Sequence, residues 1–318
     1  MESGLSEIYK LAFRLSRLAA LVTAVAFLAL HFTKVEISQT LQITIATISL
    51  SLGIPHGAID HLISIPSKPR LKFGAFILVY VAIAILAGLA IAQWSVVGFQ
   101  CVLVMSALHF GFGDAAYKNE WRDFQNQPRF TRTSSYLYGL ASGSLPVFLP
   151  LTDHRSFKAL VRIHPSIAHW AGSNTHLIRN VVIALAALAV LVQLILRNIQ
   201  SASDLILLAA LSLLAPPLIT FAVYFGLWHA LRHTARLVPK LPKALMAAEQ
   251  GKTGLAISRA VLPGLYAIAG TLLVALILML NRPGQFGSGM LWASLVVVWA
   301  LTVPHMMATA RFDRNALR

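Results

Sequence analysis

Apolar residues run through this chain in stretches of about twenty, separated by short polar connections, and that is the length a helix needs to cross a bilayer. The runs fall at roughly 11–33, 37–56, 72–93, 95–113, 177–197, 203–235, 256–280 and 288–308. The sixth is too long for a simple span: at ~1.5 Å per residue it would extend ~50 Å, against a hydrocarbon core of about 30 Å. Pro216 and Pro217 must therefore kink or break it. A weaker segment, 134–151, carries Gly139, Gly143, Pro146 and Pro150, all of which interrupt a helix.

The composition strengthens this pattern. Of 318 residues, 57% are hydrophobic and only 12% charged, with a mean hydropathy of +0.72. Soluble domains carry about 25% charged residues, and a membrane β-barrel would show short alternating segments instead. The expected fold class is all-α: one polytopic transmembrane domain, 1–318, with about eight transmembrane helices and one re-entrant or interfacial segment. No internal repeat is visible. Cys101 is the single cysteine and lies in an apolar run, so there is no disulfide framework or thiolate metal site. Lys10, Arg14 and Arg17 precede the first run, but no small-residue cleavage site follows it, so the run reads as an uncleaved helix.

The formal charge is +15. In a soluble protein that would raise nucleic acid as a partner, but here loops retained in the cytoplasm account for it. If 134–151 does not cross, one face holds every Lys and Arg except Lys34, Arg197 and Arg282. If it crosses, the second half inverts and the asymmetry weakens. The expectation is eight spans in the cytoplasmic (inner) membrane with both termini cytoplasmic, and a cytoplasmic or interfacial 152–179.

In that arrangement the even-numbered helices bring histidines to one depth. The second ends in GIPHGAIDH (His56, Asp60, His61), the fourth in SALHFGFGD (His109, Asp114), the sixth in YFGLWHALRH (His229, His233) and the eighth in TVPHMM (His305). Ionisable groups inside spans are costly and cluster at functional sites. Several neutral imidazoles in an apolar place bind metal ions. His229 and His233 are four apart and share a helix face. Asp60 is four residues past His56, close enough to orient that ring, and Asp114 stands similarly to His109. His31, His61, His154, His164, His169 and His176 read as interfacial or interhelical residues. His305 is left between a supporting role and a wall of the site. An all-histidine site suits iron, zinc, copper or nickel.

PHGAIDH, ALHFGFGD, APPLITFAVYFGLWHALRH and LTVPHMM resemble, in order, the motifs of the Brp/Blh family of β-carotene-cleaving membrane enzymes, over roughly 45–310. The most specific block runs from Ala215-Pro216-Pro217 to His233. The resemblance implies a β-carotene 15,15′-dioxygenase that uses Fe(II) and O2 to give two retinal molecules, with His56, His109, His229 and His233 as metal ligands. It also suggests a retinal-binding opsin as recipient of the product. Where relatives carry an aspartate about five residues past the last PH, this chain has Ala310, with Asp313 further on.

On that reading the carotenoid enters from the lipid and threads a tunnel whose candidate walls are Phe110, Phe112, Tyr224, Phe225 and Trp228, since aromatic faces pack well on a polyene. Asp60, Asp114 and His305 are the supporting groups. One rival is a proton- or cation-coupled transporter using intramembrane His and Asp. Another, a di-iron hydroxylase, would need about twice as many clustered ligands.

Overall fold

A computed structural model describes residues 2–64, 70–280 and 286–317. The described chain is a bundle of helices: α1 (Glu2–Thr33), α2 (Gln39–Gly57), α3 (Asp60–Ser64), α4 (Arg70–Gln93), α5 (Ser95–Phe124), α6 (Arg132–Phe148), α7 (His154–Ile163), α8 (Thr175–Ile195), α9 (Ile199–Leu214), α10 (Pro217–Ala222), α11 (Ala230–Leu237), α12 (Pro242–Glu249), α13 (Thr253–Val261), α14 (Leu265–Leu280) and α15 (Phe286–Ala316). A π-helical segment, Val223–His229, joins α10 to α11. Seven of the described helical stretches are long and apolar enough to cross a membrane. Their outer faces, as on α4 with Leu78, Leu86 and Leu89, are exposed leucines, as expected where lipid replaces water.

Both termini lie on one face of the bundle. Tyr9 donates to Glu120, Asn119 donates to the Ala316 carbonyl, and Arg236 reaches Asp313. At the opposite face Gln100 donates to the Trp170 carbonyl.

Two expectations are corrected. Segment 134–151 is neither re-entrant nor interfacial. It forms α6, which runs antiparallel to α5 from the face with the termini to the other: Ser135 meets Asn119 at one end, and Gly139 and Gly143 meet Gly111 and Ala107 further along. A Cβ at Gly111 would strike the Gly139 carbonyl, and one at Gly143 the Ala107 carbonyl. These glycines form a close helix–helix seam of the Gly-xxx-Gly kind. The low hydropathy of α6 has the same origin, because Ser134, Ser135 and Ser142 are buried against protein and not in contact with lipid. Residues 152–179 therefore sit at the face opposite the termini. Arg197 moves the other way: its neighbour Asn198 accepts from Arg122 at 2.8 Å. Lys68, Arg282 and Arg318, counted in the charge argument, lie outside the described residues.

The stretch 203–235 is not one kinked span. Ala215 and Pro216 are extended (ψ 149° and 153°), so α9 turns back into α10. Arg232 then returns to within 3.4 Å of Asp204. Pro216-Pro217 is the turn of a helical hairpin.

Candidate active site

Five elements converge below the middle of the bundle, toward the face with the termini. His56 comes from the last turn of α2, His109 from mid-α5, His229 from the π segment, His233 from α11 and His305 from α15. All five are buried, with 1–7% of their surface exposed. Ring centres run His56–His229 5.4 Å, His229–His109 5.3 Å, His109–His305 4.8 Å and His305–His56 5.8 Å, closing a circuit of four rings. His233 stands over it, 5.1, 5.7, 5.7 and 6.4 Å from His56, His229, His305 and His109.

Local backbone choices make this possible. Single-turn π insertions re-aim side chains and recur at functional sites. Here the π segment carries Phe225 and His229, and the Ser49 hydroxyl donates to the Ala222 carbonyl at its start. Gly113 and Gly57 leave room for the rings: a Cβ at Gly113 would stand 3.2 Å from His229, and one at Gly57 3.6 Å from His305.

The two carboxylates sit elsewhere than their spacing suggested. Helix α2 ends at Gly57, so the four-residue relation between His56 and Asp60 is lost. Asp60 opens α3 and faces His305, whose Nδ1 lies 2.9 and 2.8 Å from its two oxygens. Tyr80 of α4 donates to the same carboxylate at 2.9 Å. Helix α5 continues ten residues past Asp114, to Phe124. Asp114 takes hydrogen bonds from Tyr224 (3.1 Å) and Trp228 (2.9 Å), so it fixes the π segment and makes no bond to His109. Arg232 pairs with Asp204 and Arg236 with Glu120 and Asp313. Asp313 thus has a structural partner and Ala310 points outward.

Buried polar atoms in folded proteins are nearly always hydrogen-bonded. Among the described residues, His56 Nδ1, His109 Nε2, His229 Nε2, both nitrogens of His233 and His305 Nε2 have no such partner. No group of three or more His, Cys, Asp or Glu among the described residues is drawn into ligating geometry.

A chamber opens from the rings. His56, His109, His305, Asp60 and His61 line it with Phe110 and Phe225, and it reaches the flank of the bundle at Ile77 and Val81 of α4, both exposed. A second, deeper chamber begins behind Phe110, Phe225, Val298 and Thr302, which line both. Of the expected tunnel aromatics, Phe110, Tyr224 and Phe225 line a chamber. Phe112 instead packs on Tyr136, and Trp228 lies under the Arg232 guanidinium. Sequence reading missed Tyr80 and Gly53. A Cβ at Gly53 would collide with the Phe225 ring.

Fold and site together define a multi-pass helical membrane protein with an internal histidine cluster beside an apolar chamber open to the flank. The family model described as beta-carotene 15,15′-dioxygenase matches residues 47–313, and the chain belongs to that family. It is also similar to a Halobacterium salinarum protein named probable beta-carotene 15,15′-dioxygenase Blh, 27% identical over 302 residues, covering 82% of this chain and 81% of that protein. No solved structure matches.

Proposed function

We propose that this protein cleaves the central 15,15′ double bond of β-carotene with O2, giving two retinal molecules, at a non-haem Fe(II) held by the histidine cluster. The observation that carries the reading is the set of buried imidazole nitrogens without partners. A nitrogen ~2.1 Å from an ion puts its ring centre ~3.2 Å away, so rings ~90–110° apart would stand about 4.6–5.3 Å from one another. The circuit's 4.8–5.8 Å is close to that range.

His56, His109, His229 and His233 are the ligands the family resemblance favours. The geometry adds His305 as a fifth donor. In the tautomer whose Nδ1–H donates to Asp60, Nε2 carries the free lone pair, and it has no other partner. A carboxylate behind a ligating imidazole fixes its tautomer and raises its basicity. Tyr80 in turn holds Asp60. Bound there, iron would supply the activation of O2.

The chain's own contribution is positioning. The flank opening at α4 admits a lipid-soluble polyene sideways. Phe110 and Phe225 meet at 5.9 Å and stand 4.6 Å from His229 and 5.8 Å from His56, so a polyene passing between the chambers lies against the rings. Aldehyde formation from an alkene and O2 needs no acid or base, which agrees with Asp60 and Asp114 being occupied in holding other side chains.

Expression in β-carotene-accumulating bacteria tests the reaction: loss of orange colour with appearance of retinal supports it, and unchanged pigment overturns it. One iron per purified chain is expected, whereas a proton carrier requires none. Cytoplasmic termini follow from the basic residues kept on that face, among them Arg122, Arg129, Arg132, Lys240, Lys243 and Arg314. With Cys101 replaced by Ser, Gln127→Cys should label only from the cytoplasm and Ser173→Cys only from outside. Equal accessibility would remove α6 as a crossing.

A further inference from the structure

A conjugated polyene offers a row of similar double bonds. Cutting only the central one requires a fixed distance from one end of the molecule to the reacting centre. The deep chamber has the form of such a gauge. On α5 its walls are Phe99, Val102, Leu103, Ser106 and Phe110, one helix face leading to His109. On α15 they are Leu295, Val298, Trp299 and Thr302, one face leading to His305. Phe99 is ten residues before His109 and Leu295 ten before His305, and at ~1.5 Å per residue both give a depth of ~15 Å. That is the scale of a polyene half-chain with its terminal ring.

Aromatic rings crowd the far end. Phe99 packs on Trp299 (5.5 Å) and edge-on to Trp170 (6.4 Å), and α7 roofs the space with Ala159 and Leu160. The other chamber ends at exposed residues of α4 and gives no such stop. The polar side chains of the deep lining are hydroxyls, and those of Ser156 and Thr302 are turned to backbone carbonyls. An unsubstituted hydrocarbon ring is therefore the end group that fits.

Resting on the carotenoid-cleaving reading, we propose that the deep chamber binds one ring-bearing half of β-carotene and that Phe99 and Trp299 are specificity-determining residues, the stop that brings the central bond to the histidines. The second half then lies in the open chamber and can extend toward lipid. The bond broken is the central C=C, and each of its carbons takes one oxygen atom of a single O2, so no further oxidant or reductant is needed.

The test is product analysis on iron-loaded full-length protein with β-carotene. Wild type should give retinal. Trp299→Ala and Phe99→Ala let the ring sink deeper, so retinal formation should fall by up to about a hundredfold, the scale on which a misplacement of ~1 Å acts. Unequal pairs of apocarotenals, one longer and one shorter than retinal, should appear in its place. Ala159→Trp, which shortens the chamber from its roof, should also give unequal pairs. If an alanine variant does not fold, Trp299→Phe and Phe99→Leu carry the same readout. Folded, active variants that yield only retinal would overturn the stop. A wild-type protein that makes no retinal would instead overturn the function on which it rests.

Discussion

Helix α11 and the residue before it feed two buried polar regions of opposite character. His229 and His233 enter the imidazole cluster, while Arg232 and Arg236, each three residues on from one of them, enter an ion network. In the network every charge faces an opposite one. Asp204 receives Arg17 at 3.0 Å, Lys118 at 3.3 Å and Arg232 at 3.4 Å, and Arg236 lies between Glu120 at 2.8 Å and Asp313 at 2.6 Å. In the cluster five rings share one carboxylate, Asp60, and six ring nitrogens face no partner. Burying polar groups without partners is costly. A fold that sets every charge of one region against an opposite one, while its neighbour keeps six ring nitrogens unpartnered, supports the proposal that the neighbour binds an ion. The network holds α1, α5, α9, α11 and α15 together, and the cluster uses the rigidity this provides.

The two regions should differ most at the rings. Alanine at His56, His109, His229 or His233 should abolish retinal formation and reduce bound iron, with insertion and fold retained. Iron assay and product analysis on purified variants check this together. Full iron and turnover in any single variant would show that the ring is not a ligand.

The network should respond in the reverse sense. Asp204→Ala leaves Lys118 and Arg232 buried without their counter-charge, and removing one partner of a buried pair typically costs about 3–5 kcal/mol. Thermal unfolding in detergent should fall markedly while iron per folded chain stays as in wild type. Iron loss without destabilisation would mean the two regions are not separate in function.

At the link from carboxylate to ring the effect is intermediate. Asp60→Asn should lower iron affinity or turnover by about 10–100-fold, as expected for a group that orients a ligand. Tyr80→Phe, which removes one bond to Asp60 and leaves Asp60–His305 intact, should cost less. An Asp60→Asn enzyme with normal iron binding and turnover would take His305 out of the metal's reach.

Much of this was legible in the sequence, and the exceptions share a cause. The apolar runs and the four histidines that gather can be read because hydropathy and helical spacing are local. Helix α6 looks weak in the sequence because Gly139, Gly143 and Ser142 meet other helices and not lipid, and the split of basic residues then points to no crossing. The Gly-xxx-Gly spacing of 139 and 143 was the available signal. Segment 203–235 hid a reversal, because Pro216-Pro217 equally permits a kink. The partner of Asp60 was misassigned because spacing assumes a continuous helix, and α2 ends between His56 and Asp60. That carboxylate meets a ring 245 residues away, a pairing that only the packing of α3 against α15 reveals. Tyr80 carried no motif at all.

The smallest expected effect separates lining the chamber from belonging to the cluster. His61 follows Asp60 directly and lines the histidine chamber, yet its ring packs edge-on to Phe73 at 5.8 Å, and none of the five clustered rings pairs with it. If proximity to the chamber were enough to make a ligand, His61→Ala would behave like His56→Ala. If membership of the ring circuit decides, His61→Ala loses only a wall contact. Iron content should then stay at the wild-type level, with a change confined to KM for the carotenoid. Steady-state kinetics on β-carotene beside an iron assay distinguishes the two. A His61→Ala enzyme that loses its iron would mean that the chain around α3 binds in a different register, with His61 turned inward in place of one of the five.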